Sequence, residues 1–144
     1  MIRNTSIKCV SFTLVAASVL GACTKQPPGE PLAAVSLNPQ QAEGLRRINE
    51  AGTTAFGGRT WQYEFGAGCV LRVRPAFEGR KEPSHDYVLV GYNVNVVPYA
   101  DNGFGVKAYD SHKGGSVDLF DSASNNDAVS FVHSVDDLIA PCRR

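Results

Sequence analysis

The side chains able to do chemistry are few and scattered. His85 and Asp86 are adjacent, Asp110 and His112 stand two apart in one expected turn, and His133 is the last of three histidines. A D-x-H pair can offer two ligands to a metal ion, and a histidine beside an acid can move a proton. A closed zinc site needs about four ligands, and neither H-E-x-x-H nor a Cys/His cluster is present. Asp118, Asp121, Asn125, Asn126 and Asp127 are hard oxygen donors of the kind calcium takes. Their spacing departs from the D-x-[DN]-x-[DN]-G loop and no Glu closes it, so Asx-rich turn chemistry is the expectation. No G-x-S-x-G or S-x-x-K marks an activated serine. Gly57-Gly58, Gly103-Phe104-Gly105 and Gly114-Gly115 lack the spacing of a phosphate cradle and abut expected strands. Glu78/Glu82 and Asp136/Asp137 read as solvated charges. The expected catalytic and metal sets are empty, no cofactor is expected, and the domain reads as a non-enzyme.

One surface candidate is aromatic. Trp61, Tyr63 and Phe65 alternate with Gln62 and Glu64. On one strand face they would found a small core, which is the expectation; the alternative is a binding face. Tyr87, Tyr92, Tyr99 and Tyr109 could enrich a sheet face used for recognition.

The elements that must position these groups follow from periodicity. Asn38, Pro39 and Gln41 spell a helix start with a capping box, and Gly52 a stop. Ala42, Leu45, Ile48 and Ala51 make the expected buried stripe, with Arg46, Arg47, Asn49 and Glu50 opposite. From Arg59 the period becomes two, and a hairpin is expected across Gly66-Ala67-Gly68, its second arm running from Cys69 to Arg74. Pro75 to Ser84 reads as a polar loop. Tyr87 to Val97 reads as one long strand, and Phe104 to Tyr109, Ser116 to Phe120 and Ala128 to His133 as three shorter ones. Ser134 and Asp137 then form an S-x-x-D cap for a short C-terminal helix with Val135, Leu138, Ile139 and Cys142 on its buried face. The predicted fold is α+β: an antiparallel sheet of five to six strands flanked by an N-terminal helix and a short C-terminal helix. Hairpin-length connections argue against a doubly wound parallel sheet.

The N-terminus supplies an address. Arg3 and Lys8 form a positive n-region, and Val10 to Leu20 is apolar apart from Ser and Thr. That stretch suits a signal-peptide core and is shorter than the roughly 20 residues of a membrane-spanning helix. Leu20-Gly21-Ala22-Cys23 closes it. This run resembles the lipobox of bacterial lipoprotein precursors, and the resemblance covers only this segment. It implies cleavage between Ala22 and Cys23, a diacylglycerol thioether on Cys23 and acylation of its amine. Two or three chains together anchor a protein stably. Thr24 in place of Asp implies sorting to the outer membrane, facing the periplasm or the cell surface. The alternative is an ordinary secreted protein in which Cys23 is half of a disulfide.

On that reading residues 1–22 are signal, 23–37 are a lipidated cysteine and Pro-rich tether, and 38–144 are one globular domain. Removing Arg3 and Lys8 leaves 12 basic residues against 14 acidic, a net side-chain charge of −2. No electrostatic footprint for nucleic acid follows. With Cys23 lipidated and Cys9 in the signal, Cys69 and Cys142 remain, and in a small exported domain they most simply form one disulfide. The alternatives are a reactive thiol or a metal ligand. The expected function is a non-catalytic binding or structural module, held to the membrane by its lipid and meeting an envelope partner. The alternative is an inhibitor of a periplasmic or host hydrolase such as lysozyme; the chain is similar in size and single-disulfide plan to small exported β-rich lipoproteins that act as such inhibitors. An enzyme using His85, Asp86 and their neighbours is the third reading.

Overall fold

The computed structural model describes residues 30–54 and 56–143. The signal-like segment, Cys23 with its cleavage site, and most of the Pro-rich stretch lie outside them. The fold is α+β. Helix α1 (Pro39–Gly52) precedes seven strands: β1 (Arg59–Gly66), β2 (Val70–Phe77), β3 (Arg80–Lys81), β4 (His85–Val88), β5 (Tyr92–Pro98), β6 (Phe104–Asp110) and β7 (Ser116–Ser122). Helix α2 (Asn125–Ile139) follows and runs into a 3-10 turn, Ala140–Arg143.

The strands divide into two antiparallel sheets rather than one. In the first, β2 pairs with β1 along its whole length, with β4 over Val70 to Val73 and with β3 over Ala76 and Phe77. In the second the order is β5-β6-β7, with a bulge at Val106/Lys107. The expected long strand breaks at Leu89, which is fully buried, and Gly91 (φ 89°) turns the chain into the second sheet. The expected polar loop after Arg74 is partly strand, because β2 runs on to Phe77 and β3 folds back on it.

Helix α1 starts as its sequence dictates. Asn38 Oδ1 accepts from the Gln41 backbone N–H at 2.8 Å, and Gln41 Oε1 accepts from the Asn38 N–H at 3.2 Å. Its buried face is rotated from the expected stripe. Gln41, Gly44, Ile48 and Gly52 are buried while Ala42 is exposed. Gly44 causes the rotation: a Cβ there would meet the Ser134 carbonyl oxygen of α2 at 2.7 Å, so only glycine allows this approach. Gln41 completes the contact, its side-chain amide donating to the Leu138 carbonyl at 3.1 Å.

The expected strand Ala128 to His133 is the first half of α2. Ser124, not Ser134, caps that helix, accepting from the Asp127 N–H. Ser134 is buried mid-helix and donates back to the Ser130 carbonyl at 2.9 Å. Ala128, Phe131, Val135 and Leu138 form the buried stripe, with Ile139 beside it. Trp61 and Tyr63 are core, as expected, and Phe65 packs half-buried against it. The Phe120 and Phe131 rings stack at 4.6 Å. No helix among the described residues is long and apolar enough to cross a membrane.

The pairing registers and the order of the elements give the domain two distinct ends. At one end lie the β1–β2 turn, the β4–β5 turn, the β6–β7 turn, the start of α1 and the end of α2. At the other lie the start of β1, the close of β5, the start of β6, the last residues of β7 and the N-terminus of α2. An eight-residue strand such as β1 spans about 25 Å between them.

Candidate functional site

The second end carries a cleft of about 580 Å³. Arg47 and Glu50 from α1, with Thr54 just beyond its end, form one wall, and Asp127, Ser130 and His133 from α2 face them. The two helices meet at Gly44, and the cleft lies between the later part of α1 and the first half of α2. Buried Phe120 and Phe131 contribute its apolar depth, and Phe56 adds a third ring. Asp121, Ser122 and Ser124 supply polar groups from the close of β7 and the loop after it.

Asp121 is the most constrained of these. It is buried, and its Oδ1 accepts from the Tyr99 hydroxyl at 2.8 Å, while Arg59 Nη1 stands 3.6 Å from Oδ2. The Tyr99 ring reaches it by crossing Gly105, where a Cβ would lie 2.0 Å from the Tyr99 hydroxyl oxygen. Burial, then the bond to Asp121, pushes the Tyr99 phenol up from its usual range. Tyr63, which donates to the Leu119 carbonyl, is raised well above the ordinary tyrosine value by burial and then by Asp121. Next to this carboxylate the Arg59 guanidinium lies over the Trp61 ring, 5.5 Å from its centroid. Buried Arg59 Nε and Trp61 Nε1 have no hydrogen-bond partner among the described residues.

The serines form a chain. Ser122 Oγ accepts from the Ser124 N–H at 3.0 Å, and Ser124 Oγ accepts from the Asp127 N–H at 3.3 Å. Each hydroxyl keeps its proton to donate. The cleft therefore offers carboxylate and hydroxyl groups above an aromatic depth. That combination suits a ligand with an apolar face and polar edges.

The other candidates are dispersed. Asp86 is bound to Arg72 through two contacts, 2.6 Å to Nε and 2.8 Å to Nη2. His85 is exposed beside Tyr87, their rings 6.2 Å apart. Asp110 Oδ1 caps its own turn, accepting from the His112 and Lys113 N–H groups, and these bonds hold its carboxyl below the usual range. Asp118 pairs with Lys107 at 2.9 Å, while Asn125, Asn126 and Asp127 open α2, so the suspected calcium ligands separate. Among the described residues no group of three or more His, Cys, Asp or Glu could hold a metal ion. Asp121 and Asp127 line the cleft, and of the three histidines only His133 does, from a helix and not a strand end. Glu82 faces Arg59 at 4.0 Å, and Asp136 pairs with Arg143.

Cys69 and Cys142 form a disulfide with Cα atoms 6.1 Å apart. It joins the β1–β2 turn to the 3-10 turn after α2, at the end away from the cleft. Nearby, a strap of chain crosses the outer face of the first sheet. Arg72 Nη1 donates to the Glu30 carbonyl at 2.5 Å, Leu32 lies against Gly66, and Ala33 accepts from the Ala67 N–H at 2.9 Å. Residues expected in the tether thus begin the folded body, and they leave Arg72 1% exposed.

Comparison with protein-family models, curated proteins and solved structures found no match. Sequence reasoning missed the cleft because it misplaced the start of α2. The S-x-x-D pattern at Ser124 and Asp127 was the available signal.

Proposed function

We propose that this chain is a lipid-anchored protein of the bacterial envelope whose domain is a non-catalytic binding module, using the cleft to recognise an envelope component. The carrying observation is the placement of the two ends. The chain enters the fold as the strap at one end, and the cleft opens at the other. A lipid on Cys23 would hold the first end toward the membrane and present the cleft to the periplasm. The disulfide supports an extracytoplasmic setting, because such bonds persist in oxidising compartments. With Cys69 and Cys142 spent on it, Cys23 is left for the lipid, and Thr24 favours the outer membrane.

Two measurements test this. Metabolic labelling with an alkyne fatty acid is expected to tag the protein, and Cys23→Ala to abolish the tag and release the protein to the soluble fraction. Persistent membrane association of that variant would sink the anchor. A photo-cross-linking residue at position 130, in the cleft, is expected to give a discrete adduct in cells, unlike one at position 62 on the outer sheet face. The same adducts from both positions would sink the cleft as the recognition site.

A further inference from the structure

Six large hydrophobic side chains are exposed among the described residues, and they are not spread evenly. Val35, Val88, Val90 and Tyr109 belong to the strap end, while Phe77 and Val129 belong to the cleft end. Val88 (53%) and Val90 (47%) are the most exposed of all. They flank Leu89, which is fully buried, so the β4–β5 turn drives one side chain inward and holds two outward on a fixed backbone. The turn is braced. The Tyr92 N–H donates to the Leu89 carbonyl at 3.1 Å, and the Ser111 hydroxyl donates to the Gly91 carbonyl at 2.7 Å. Tyr109 sits on β6 opposite Asn93, near the start of β5, with Lys113 in the adjoining turn.

The length of chain before the strap says what covers this patch. Cys23 and Glu30 are seven residues apart. Even fully extended, seven residues reach at most about 25 Å. Glu30 is held over Arg72, whose partner Asp86 lies two residues from Val88 on β4. A lipid on Cys23 thus keeps this end of the domain within one short tether of the bilayer.

We infer that the strap end is a membrane-docking face, on which Val88 and Val90 enter the interfacial region of the bilayer beside the anchored Cys23. Apolar side chains on a rigid turn, with an aromatic and a lysine nearby, are suited to such a surface. The contact is apolar in origin, so it does not require anionic lipid. It fixes the orientation of the domain, with the cleft pointing away from the membrane. The inference rests on the lipid-anchor reading.

The test uses the full-length lipidated protein in neutral phosphatidylcholine vesicles. Cys69 and Cys142 are bonded to each other, so Val88→Cys and Val90→Cys each provide a single free thiol for an environment-sensitive fluorophore. Val129→Cys, on α2 at the cleft end, is the reference. Nitroxide-labelled lipid in the vesicles is expected to quench positions 88 and 90 several-fold more than position 129, with little change at high salt. Equal quenching at all three positions, on protein that floats with the vesicles, would overturn the docking face and leave the anchor standing. A blue-shifted emission at 88 and 90 without lipid quenching would show a second copy of the chain over the patch, and would also overturn it. Protein that fails to float with the vesicles would overturn the anchor and the docking face together.

Discussion

At the strap end the chain is tied by a disulfide, by the Arg72–Asp86 pair and by a strap bonded to the sheet. At the cleft end the ties are hydrogen bonds: Tyr99 to Asp121, and a run of serine hydroxyls onto backbone N–H groups. The first set resists deformation. It cross-links residues 73 apart in sequence and buries an ion pair under Glu30. The second set keeps polar groups at a surface where they retain capacity to bond elsewhere. The difference teaches that rigid cross-ties and unspent hydrogen-bonding groups are placed at opposite poles of a small domain. Changes at the strap end should cost stability first, and changes in the cleft should cost binding first.

The largest effect should come from the covalent tie. Replacing Cys69 and Cys142 together with Ser is expected to remove about 3 to 5 kcal/mol, read from denaturant midpoints. A loss under about 1 kcal/mol would break the contrast between the ends. Next is Asp86→Ala, which leaves an almost fully buried guanidinium with the Glu30 carbonyl and, at 3.9 Å, the Glu64 carboxylate. A cost near 3 kcal/mol is expected, with faster proteolysis around Glu30 as the strap loosens.

At the cleft end the costs shrink. Gly105→Ala should expel the Tyr99 ring and break its bond to Asp121, at about 1 to 3 kcal/mol. Tyr99→Phe should cost less, because the ring stays in place. If both variants match wild type in thermal melts, Asp121 is not held as described. An alkaline titration reads the core and the cleft end through their phenols. Tyr63 and Tyr99 are both raised in the folded state, so their contribution to stability is complete below the unfolded tyrosine value of about 10 and is lost as pH rises above it. Phenolate absorbance from both is expected only as the fold opens, and Tyr63→Phe should shrink that step. The smallest effect belongs to Ser130→Ala on the exposed cleft wall. It should stay within about 0.5 kcal/mol of wild type in stability while weakening capture of the ligand.

Elements defined by local chemistry could be read from the residues alone. The Asn38 capping box, the aromatic arm Trp61-Tyr63-Phe65 and the turn at Gly66-Ala67-Gly68 needed no tertiary information. The start of α2 did. Ala128 to His133 is β-branched and aromatic enough to suit a strand, which masks the Ser124–Asp127 cap, and packing against the second sheet settles it as helix. The face of α1 was hidden for a related reason. Gly44 costs a lone helix about 1 kcal/mol, and its advantage exists only where α2 presents the Ser134 carbonyl. The cleft combines two stretches of chain, 47–56 and 120–134, that are distant in sequence, so no single motif announces it. The strap was illegible because Arg72, an ordinary surface residue by type, is what draws Glu30 down.

Asn49 has a consequence of its own. Its side-chain amide donates to the Tyr63 carbonyl at 3.0 Å and accepts from the Tyr63 N–H at 2.9 Å. A helix residue thereby fills one rung of a ladder that β1 would otherwise offer to a passing strand. On an edge strand Asn49 therefore works as a stopper against strand-by-strand polymerisation.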